Sequence, residues 1–267
     1  MLYFVATPIG NLKDITFRAI EVLQSVDEIA CEDTRHSLTL LNHYNIKKPL
    51  FSYHKYNEKE ASEKIVQKLK EGLNIAVISD AGMPVISDPG NILVQTLIEQ
   101  GLEYTVVPGA NAMISALVLS GFDASKFCFL GFLKGKESER KAFLEKYVNL
   151  DATLIFYSAP HDVKKDIATL YSAFGERRCC AVKEITKLHE KIEIFSLKEG
   201  LPCEPKGEYV LIVEGGKENA DFLEMTEEEH VLSLINSGVD KKEAIKQVAK
   251  LRGVSKSSLY KYTIDKD

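Results

Sequence analysis

At 267 residues the chain is long enough for one or two domains with real cores, and 45% hydrophobic with 27% charged residues is the balance of a folded protein, not a disordered one. No apolar run approaches the ~20 residues of a membrane-crossing helix, and Met1-Leu2-Tyr3-Phe4-Val5-Ala6 lacks the basic flank of a signal peptide and reads as a first strand. A net charge of −5 argues against a uniformly basic nucleic-acid binder, and five cysteines (Cys31, Cys128, Cys179, Cys180, Cys203) without C-x-x-C spacing argue against a zinc site and point to reduced thiols in the cytosol.

Residues 1–118 alternate strand and helix patterns. Strands are expected at Leu2–Ala6, Glu28–Cys31, Leu50–Tyr53, Ile75–Ser79 and Tyr104–Val107. Helices are expected between them, at Thr16–Ser25, Thr34–Asn42, Lys59–Lys70, Asn91–Gln100 and Ala112–Leu119, with Thr34 as an N-cap. Such alternation predicts a mostly parallel sheet covered by helices. Leu119 to Asp123 reads as a hinge. Residues 119–220 then give strand Phe127–Leu133, helix Glu137–Val148, strand Thr153–Tyr157 and helix Asp162–Phe174. The last strands, Cys180–Glu184, Lys191–Ser196 and Tyr209–Val213, have no helices between them, which predicts antiparallel pairing and a mixed sheet.

Residues 221–267 read as a small helical module. Ala249-Lys250-Leu251-Arg252-Gly253 followed by Val254 and Leu259 has the packing pattern of a helix-turn-helix, with Ser255 able to cap the second helix. From Gly238 to Thr263, seven basic residues (Lys241, Lys242, Lys246, Lys250, Arg252, Lys256, Lys261) face only Asp240 and Glu243. Lys134 to Lys146 is also lysine-rich but is interleaved with Glu137, Glu139 and Glu145.

Three loops share one grammar of strand, Pro/Gly turn and helix: Thr7-Pro8-Ile9-Gly10-Asn11, Ser79 to Gly90, and Pro108-Gly109-Ala110-Asn111-Ala112. Small residues let a ligand approach the backbone, and the carboxyl ends of parallel strands are where ligands bind. Neither G-x-G-x-x-G nor G-x-x-x-x-G-K-[ST] occurs, so the dinucleotide and P-loop fingerprints are absent.

Ala6-Thr7-Pro8-Ile9-Gly10-Asn11-Leu12, Glu32-Asp33-Thr34-Arg35, Ser79-Asp80-Ala81-Gly82, Ser87-Asp88-Pro89-Gly90, Pro108-Gly109, Glu184-Ile185-Thr186-Lys187 and Lys206-Gly207-Glu208, in this order, resemble the tetrapyrrole methylase superfamily. Within it the chain is most similar to the branch that methylates a cytidine ribose 2′-hydroxyl in small-subunit rRNA. The resemblance implies two α/β domains with S-adenosylmethionine in the cleft between them, followed by the helical module, and commonly a homodimer. No metal is implied. Pro8, Gly10, Asp80, Ala81, Gly82, Asp88, Pro108, Gly109 and Ala112 are the candidates for holding the cofactor.

Methyl transfer to a hydroxyl is an in-line displacement, so alignment dominates and a base for the hydroxyl proton adds to it. Glu184 is the catalytic candidate, either as that base or as a positioning group. Alternation on a strand end predicts Glu184 and Thr186 on one side, with Lys183 and Lys187 on the other. RNA contacts are expected from Lys183, Lys187, Arg35, His54 and Asn57, and from Lys250, Arg252, Lys256 and Lys261 of the tail. Where relatives carry an acid and an arginine after Phe156-Tyr157, this chain has Ser158 and Asp162, and Lys183 stands for an arginine. Two other readings stay open at this point. One is the same chemistry on a small molecule such as a tetrapyrrole; the other is a non-catalytic nucleic-acid-binding regulator.

Overall fold

The computed structural model describes residues 1–216, 225–236 and 239–263. They fall into two compact units, one made of 1–148 with 152–215 and one of 149–151 with 216–267.

The first unit opens with strands β1 (Leu2–Val5), β2 (Glu28–Cys31), β3 (Leu50–Ser52), β4 (Ile75–Ile78) and β5 (Tyr104–Val107). They lie in the order β3-β2-β4-β1-β5, every pair parallel. Helices α1 (Phe17–Ser25), α2 (Thr34–His43), α3 (Glu58–Lys70) and α4 (Asn91–Glu99) fill the crossovers. From β1 the chain steps toward one edge of the sheet, and from β4 toward the other. Right-handed crossovers then send α1 and α2 to one face and α3 and α4 to the opposite one. The cores agree. Ala19, Leu23 and Leu41 pack with Val5, Ile29 and Ile78, whereas Ile65, Leu69, Leu93 and Leu97 pack with Leu2, Phe4 and Val77. Burial on both faces is why Ile75-Ala76-Val77-Ile78 is a continuous apolar run. β4 and β1 are neighbours whose following helices diverge, which opens a crevice beyond their carboxyl ends.

The same unit continues through α5 (Ala112–Ser120), β6 (Phe127–Phe132), α6 (Glu137–Glu145), β7 (Thr153–Ser158), α7 (Val163–Phe174), β8 (Arg178–Lys183), β9 (Lys191–Ser196) and β10 (Tyr209–Val213). The second sheet runs β6-β7-β10-β8-β9. β6 and β7 are parallel around α6; the three late strands pair antiparallel, as their short links require. All five residues of β10 are buried. Leu211 and Val213 join the core under α6 and α7, and Val210 and Ile212 join the core under α5. β6 carries a bulge between Phe129 and Gly131.

Some local expectations shift. The N-cap of α2 is Asp33, not Thr34: its extended backbone leaves the carboxylate free to accept the Arg35 N–H at 2.8 Å. β8 stops at Lys183 because Glu184 and Thr186 turn into the left-handed region, at φ 50 and 63. α6 stops at Glu145, three residues short of the expected end.

In the second unit, α8 (Glu227–Asn236), α9 (Lys241–Arg252) and α10 (Lys256–Leu259) pack around Val231, Ile245, Val248, Ala249 and Leu259. Gly253, at φ 68, ends α9 in the left-handed turn, and the Ser255 hydroxyl accepts the Ser258 N–H at 3.2 Å to start α10. No helix among the described residues is long and apolar enough to cross a membrane.

Candidate functional site

The loops after β1 and β4 are clipped together at the crevice. Thr7 N–H donates to Gly82 O at 2.9 Å, Gly82 N–H returns to Thr7 O at 3.2 Å, and the buried Thr7 hydroxyl donates to Ser79 O. Gly82 sits at φ 86, and a Cβ there would stand 3.2 Å from Ile9 Cγ2. Val85 and Ser87 also have positive φ, at 77 and 69. At the far end of the loop the Glu58 carboxylate on α3 accepts the N–H groups of Gly90 and Ile92, capping α4 from outside.

A cavity of about 390 Å³ opens against this loop. Its first wall includes Asp80, Ala81, Gly82, Asp88 and Ala112. The second wall comes from the other sheet: Tyr157 to Pro160 at the end of β7, Val182, Glu184, Ile185 and Lys187 around the end of β8, and the start of β10. Tyr157 is held edge-on between Phe129 at 4.8 Å and Phe132 at 5.5 Å. Next to it Ser158 donates to Asp166 at 2.6 Å, and Asp166 accepts Arg140 at 2.7 Å; the Arg140 and Asp166 side chains are only 6% and 4% exposed.

Two carboxyl groups in the cavity are pushed in opposite directions. Asp88 is raised to about 6, first by burial and then by Glu32 and Asp80, with Ser79 opposing. Glu184 is partly desolvated, yet the Glu208 N–H at 2.8 Å and the Lys187 ammonium at 3.0 Å outweigh that and hold it below the ordinary glutamate value. Burial works against the charge of Lys187 too, but its bonds to Glu208 and Glu184 win and raise it. Lys187 and Glu184 are therefore paired on one side. This corrects the alternation reading, because the two left-handed residues coil the chain and bring Lys187 N–H back to Glu184 O.

The sequence pattern described as Tetrapyrrole (Corrin/Porphyrin) Methylases matches residues 1–201. The chain belongs to the tetrapyrrole methylase family. It is 46% identical to "Ribosomal RNA small subunit methyltransferase I" of Haemophilus influenzae, over 98% of this chain and 95% of that protein. It is 43% identical to the protein of the same name from Halalkalibacterium halodurans, over 97% and 93%. The fold is similar to the crystal structure of uroporphyrin-III-C-methyltransferase from Thermus thermophilus, with a TM-score of 0.57 at 18% identity, covering 84% of this chain and 98% of that one.

Within this tetrapyrrole methylase, four expected cofactor residues, Pro8, Gly10, Pro108 and Gly109, do not line the cavity. Gly109 has no Cβ because Ala6 Cβ would lie 2.9 Å from one. Gly10 likewise makes room for the Lys187 stem. Pro8 is buried beside the Thr7 clip, and Pro108 leads into Gly109. Conversely, Tyr157, Ser158, Pro160, Val182 and Tyr209 line the cavity, although residue spacing gives no hint that they face the first sheet. The only sequence signal for them is the Phe156-Tyr157 run and its departures.

Several expected RNA contacts are engaged locally. Asn57 donates to Ser52 O at 3.1 Å and accepts His54 N–H at 2.8 Å, fixing the turn between β3 and α3. His54 Nδ1 is buried with no hydrogen-bond partner among the described residues. Arg35 is 89% exposed and grips Asp33. Asp33 N–H in turn donates to Asp80, which ties the start of α2 to the cavity wall. Lys183 ends β8 opposite Tyr209 and does not line the cavity. In the helical unit Lys256 and Lys261 are exposed, with the Lys261 ammonium 4.6 Å from the Tyr262 ring centre. Arg252 points inward, donating to Met225 O at 2.7 Å and His230 Nδ1 at 3.2 Å. Burial and Arg252 lower His230, which keeps that acceptor neutral. Lys250 lies on α9, and its side chain is outside the described residues.

Proposed function

We propose that the protein is a cytoplasmic S-adenosylmethionine-dependent methyltransferase that modifies a cytidine ribose 2′-hydroxyl of small-subunit rRNA. The observation that carries this reading is near full-length similarity to proteins named for that rRNA, at 46% identity in one case. The cavity supports it. Its volume falls in the range of small-molecule sites. Its first wall has a glycine at φ 86 where a side chain would crowd the floor, and two carboxyl groups suited to an ammonium or to ribose hydroxyls.

When bound, S-adenosylmethionine supplies an electrophilic methyl group on a sulfonium sulfur. The protein's task is then alignment, for which a rigid wall is worth ~7–11 kcal/mol. Ala81 and Gly82 would offer backbone to the cofactor, and Asp80, already fixed by Asp33 N–H, would hold its polar groups. Asp88 would receive the proton that the ribose hydroxyl gives up. A carboxyl titrating near 6 is a far better base at neutral pH than the paired, depressed Glu184. Glu184 instead positions the sugar, with Lys187 held beside it. Exposed Lys256 and Lys261 on the helical unit meet RNA phosphates.

A second copy of the chain completes the assembly. Ile114 and Val118 on α5 and Ile192 and Ile194 on the adjoining edge strand β9 are 39%, 72%, 41% and 52% exposed, an apolar surface suited to a self-complementary contact. The deciding experiment for the function is mass-spectrometric mapping of ribose methylation in rRNA from cells lacking the protein. One 2′-O-methylcytidine should disappear from small-subunit rRNA and return on complementation. An unchanged map overturns the reading.

A further inference from the structure

A second cavity, of about 330 Å³, lies beside the first. Ser87 and Phe132 line both, so the two are neighbours across a shared wall. The second cavity is bounded by Leu130 and Leu133 of the β6 segment and by Phe143 of α6, and Lys134 and Arg140 supply its charge. The bulge in β6 makes the opening. Gly131 takes φ 64 there, and a Cβ on it would stand 3.8 Å from Ser87 Oγ, so any larger residue would grow into the space between β6 and the β4 loop.

Arg140 is the informative group. Its side chain is almost wholly buried. Nε donates to Gly135 O at 3.1 Å and Nη1 donates to Asp166 at 2.7 Å. Nη2 forms no hydrogen bond among the described residues, yet it is not one of the buried atoms left without a partner, so this end of the guanidinium keeps contact with the cavity. The ring of contacts holds the guanidinium rigid while leaving donors for whatever enters the cavity. Lys134 is exposed at the same site.

Walls of leucine and phenylalanine, a fixed donor and an outer cation fit a planar heteroaromatic ring that carries acceptors on its edge and an anion at its root. A nucleotide has that chemistry, and enzymes acting on nucleotides commonly take the base out of the stack into such a pocket. We infer that the second cavity receives the base of the nucleotide whose ribose is methylated, with Arg140 donating to the acceptor edge of a pyrimidine and Lys134 meeting the adjoining phosphate. The inference rests on the rRNA reading above. It adds that the base and the reacting sugar occupy adjoining cavities that meet at Phe132 and Ser87. It also supplies a basis for cytosine over uracil: cytosine offers an acceptor at N3, where uracil has an N–H that would face the donors of Arg140.

The test uses the full chain saturated with S-adenosylhomocysteine and cytidine 5′-monophosphate as the probe, followed by NMR or calorimetry. Wild type should bind the probe, and prefer it over both uridine 5′-monophosphate and cytidine. Leu130→Trp, which fills the cavity, should weaken cytidine 5′-monophosphate at least tenfold while leaving S-adenosylhomocysteine affinity unchanged. Lys134→Ala, a surface change that cannot unfold the chain, should abolish the preference for the phosphorylated probe. Equal probe affinity in wild type and Leu130→Trp, or no preference for cytosine, overturns the inference. The two readings fail separately. If Leu130→Trp methylates rRNA as fast as wild type, the base pocket falls and the function stands. If the probe binds as described but no rRNA ribose is methylated, the function falls.

Discussion

Gly82→Val tests whether the clip between the β1 and β4 loops shapes the cofactor wall. At φ 86 a residue with a Cβ costs about 1–2 kcal/mol, and a β-branched one more. The new Cβ would also stand 3.2 Å from Ile9 Cγ2, so Ile9 must yield by a few tenths of an ångström. If the loop yields instead, the reciprocal Thr7–Gly82 bonds at 2.9 and 3.2 Å are disturbed, at about 0.5–1.5 kcal/mol each. A total of at least 2 kcal/mol follows; the free loop escapes it by relaxing, binding must restore the clipped form, and affinity for S-adenosylmethionine should fall by about 30-fold or more. Calorimetry on variant protein with a native circular dichroism spectrum reads this directly. In an Ile9→Ala background the steric part is relieved and the backbone part remains, so recovery should be partial. Wild-type affinity in folded Gly82→Val refutes the reasoning, and full recovery with Ile9→Ala refutes its backbone half.

Four further outcomes are expected. Asp88→Asn should remove the acid limb, near pH 6, from the pH profile of kcat/KM and lower turnover by 10² or more. The stability sign is opposite to that of a paired carboxylate: with the native value raised, Asp88 contributes stability below about pH 4 that is lost as pH rises through about 6, so Asp88→Asn should melt higher than wild type at pH 8. Glu184→Gln should raise the KM for RNA more than it lowers kcat, and higher pH should not rescue it; a loss confined to kcat would make Glu184 the base. Asp166→Ala strips the counter-charge from buried Arg140 and should cost about 3–5 kcal/mol by chemical denaturation, more than Asp33→Ala, which removes only a surface cap of α2. Deleting 221–267 should leave cofactor affinity intact and flatten the salt dependence of rRNA methylation; equal slopes would exclude the tail as an RNA contact.

The strands of the first sheet were legible because burial on both faces makes them unbroken apolar runs that end at proline and glycine turns. β2, β5, β9 and β10 match the expected bounds; β2 and β10 are buried runs, whereas β5 and β9 leave half of their residues exposed and are legible from their β-branched and aromatic content. Loop placement followed from parallel topology, which puts every strand-to-helix turn on one edge. The partner wall was not legible, since nothing in Tyr157 to Pro160 states which sheet will face it. Glu184 and Thr186 defeated period-two reasoning because residue type does not announce a left-handed turn at a non-glycine position. Arg252 and Asn57 looked like exposed polar groups and proved to be tied to local carbonyls, a use that charge patterning cannot separate from ligand binding.

The strand order has a consequence for how the chain is made. β1 is an inner strand, yet its neighbours are β4 and β5, and the pairing of Leu2 with Ile75 spans about 70 residues. During synthesis at ~5–20 residues per second, β1 therefore waits roughly 4–14 seconds for β4, with both of its hydrogen-bonding edges and both apolar faces uncovered. β2 and β3 can pair with each other in that interval, but the sheet has no centre until β4 emerges between β2 and β1. The second sheet is different, since β8 and β9 close as a local hairpin. The ligand crevice, which lies over β4 and β1, thus cannot exist until β4 has emerged, and a nascent chain released before Ile78 would expose β1 as an aggregation-prone strand without a partner.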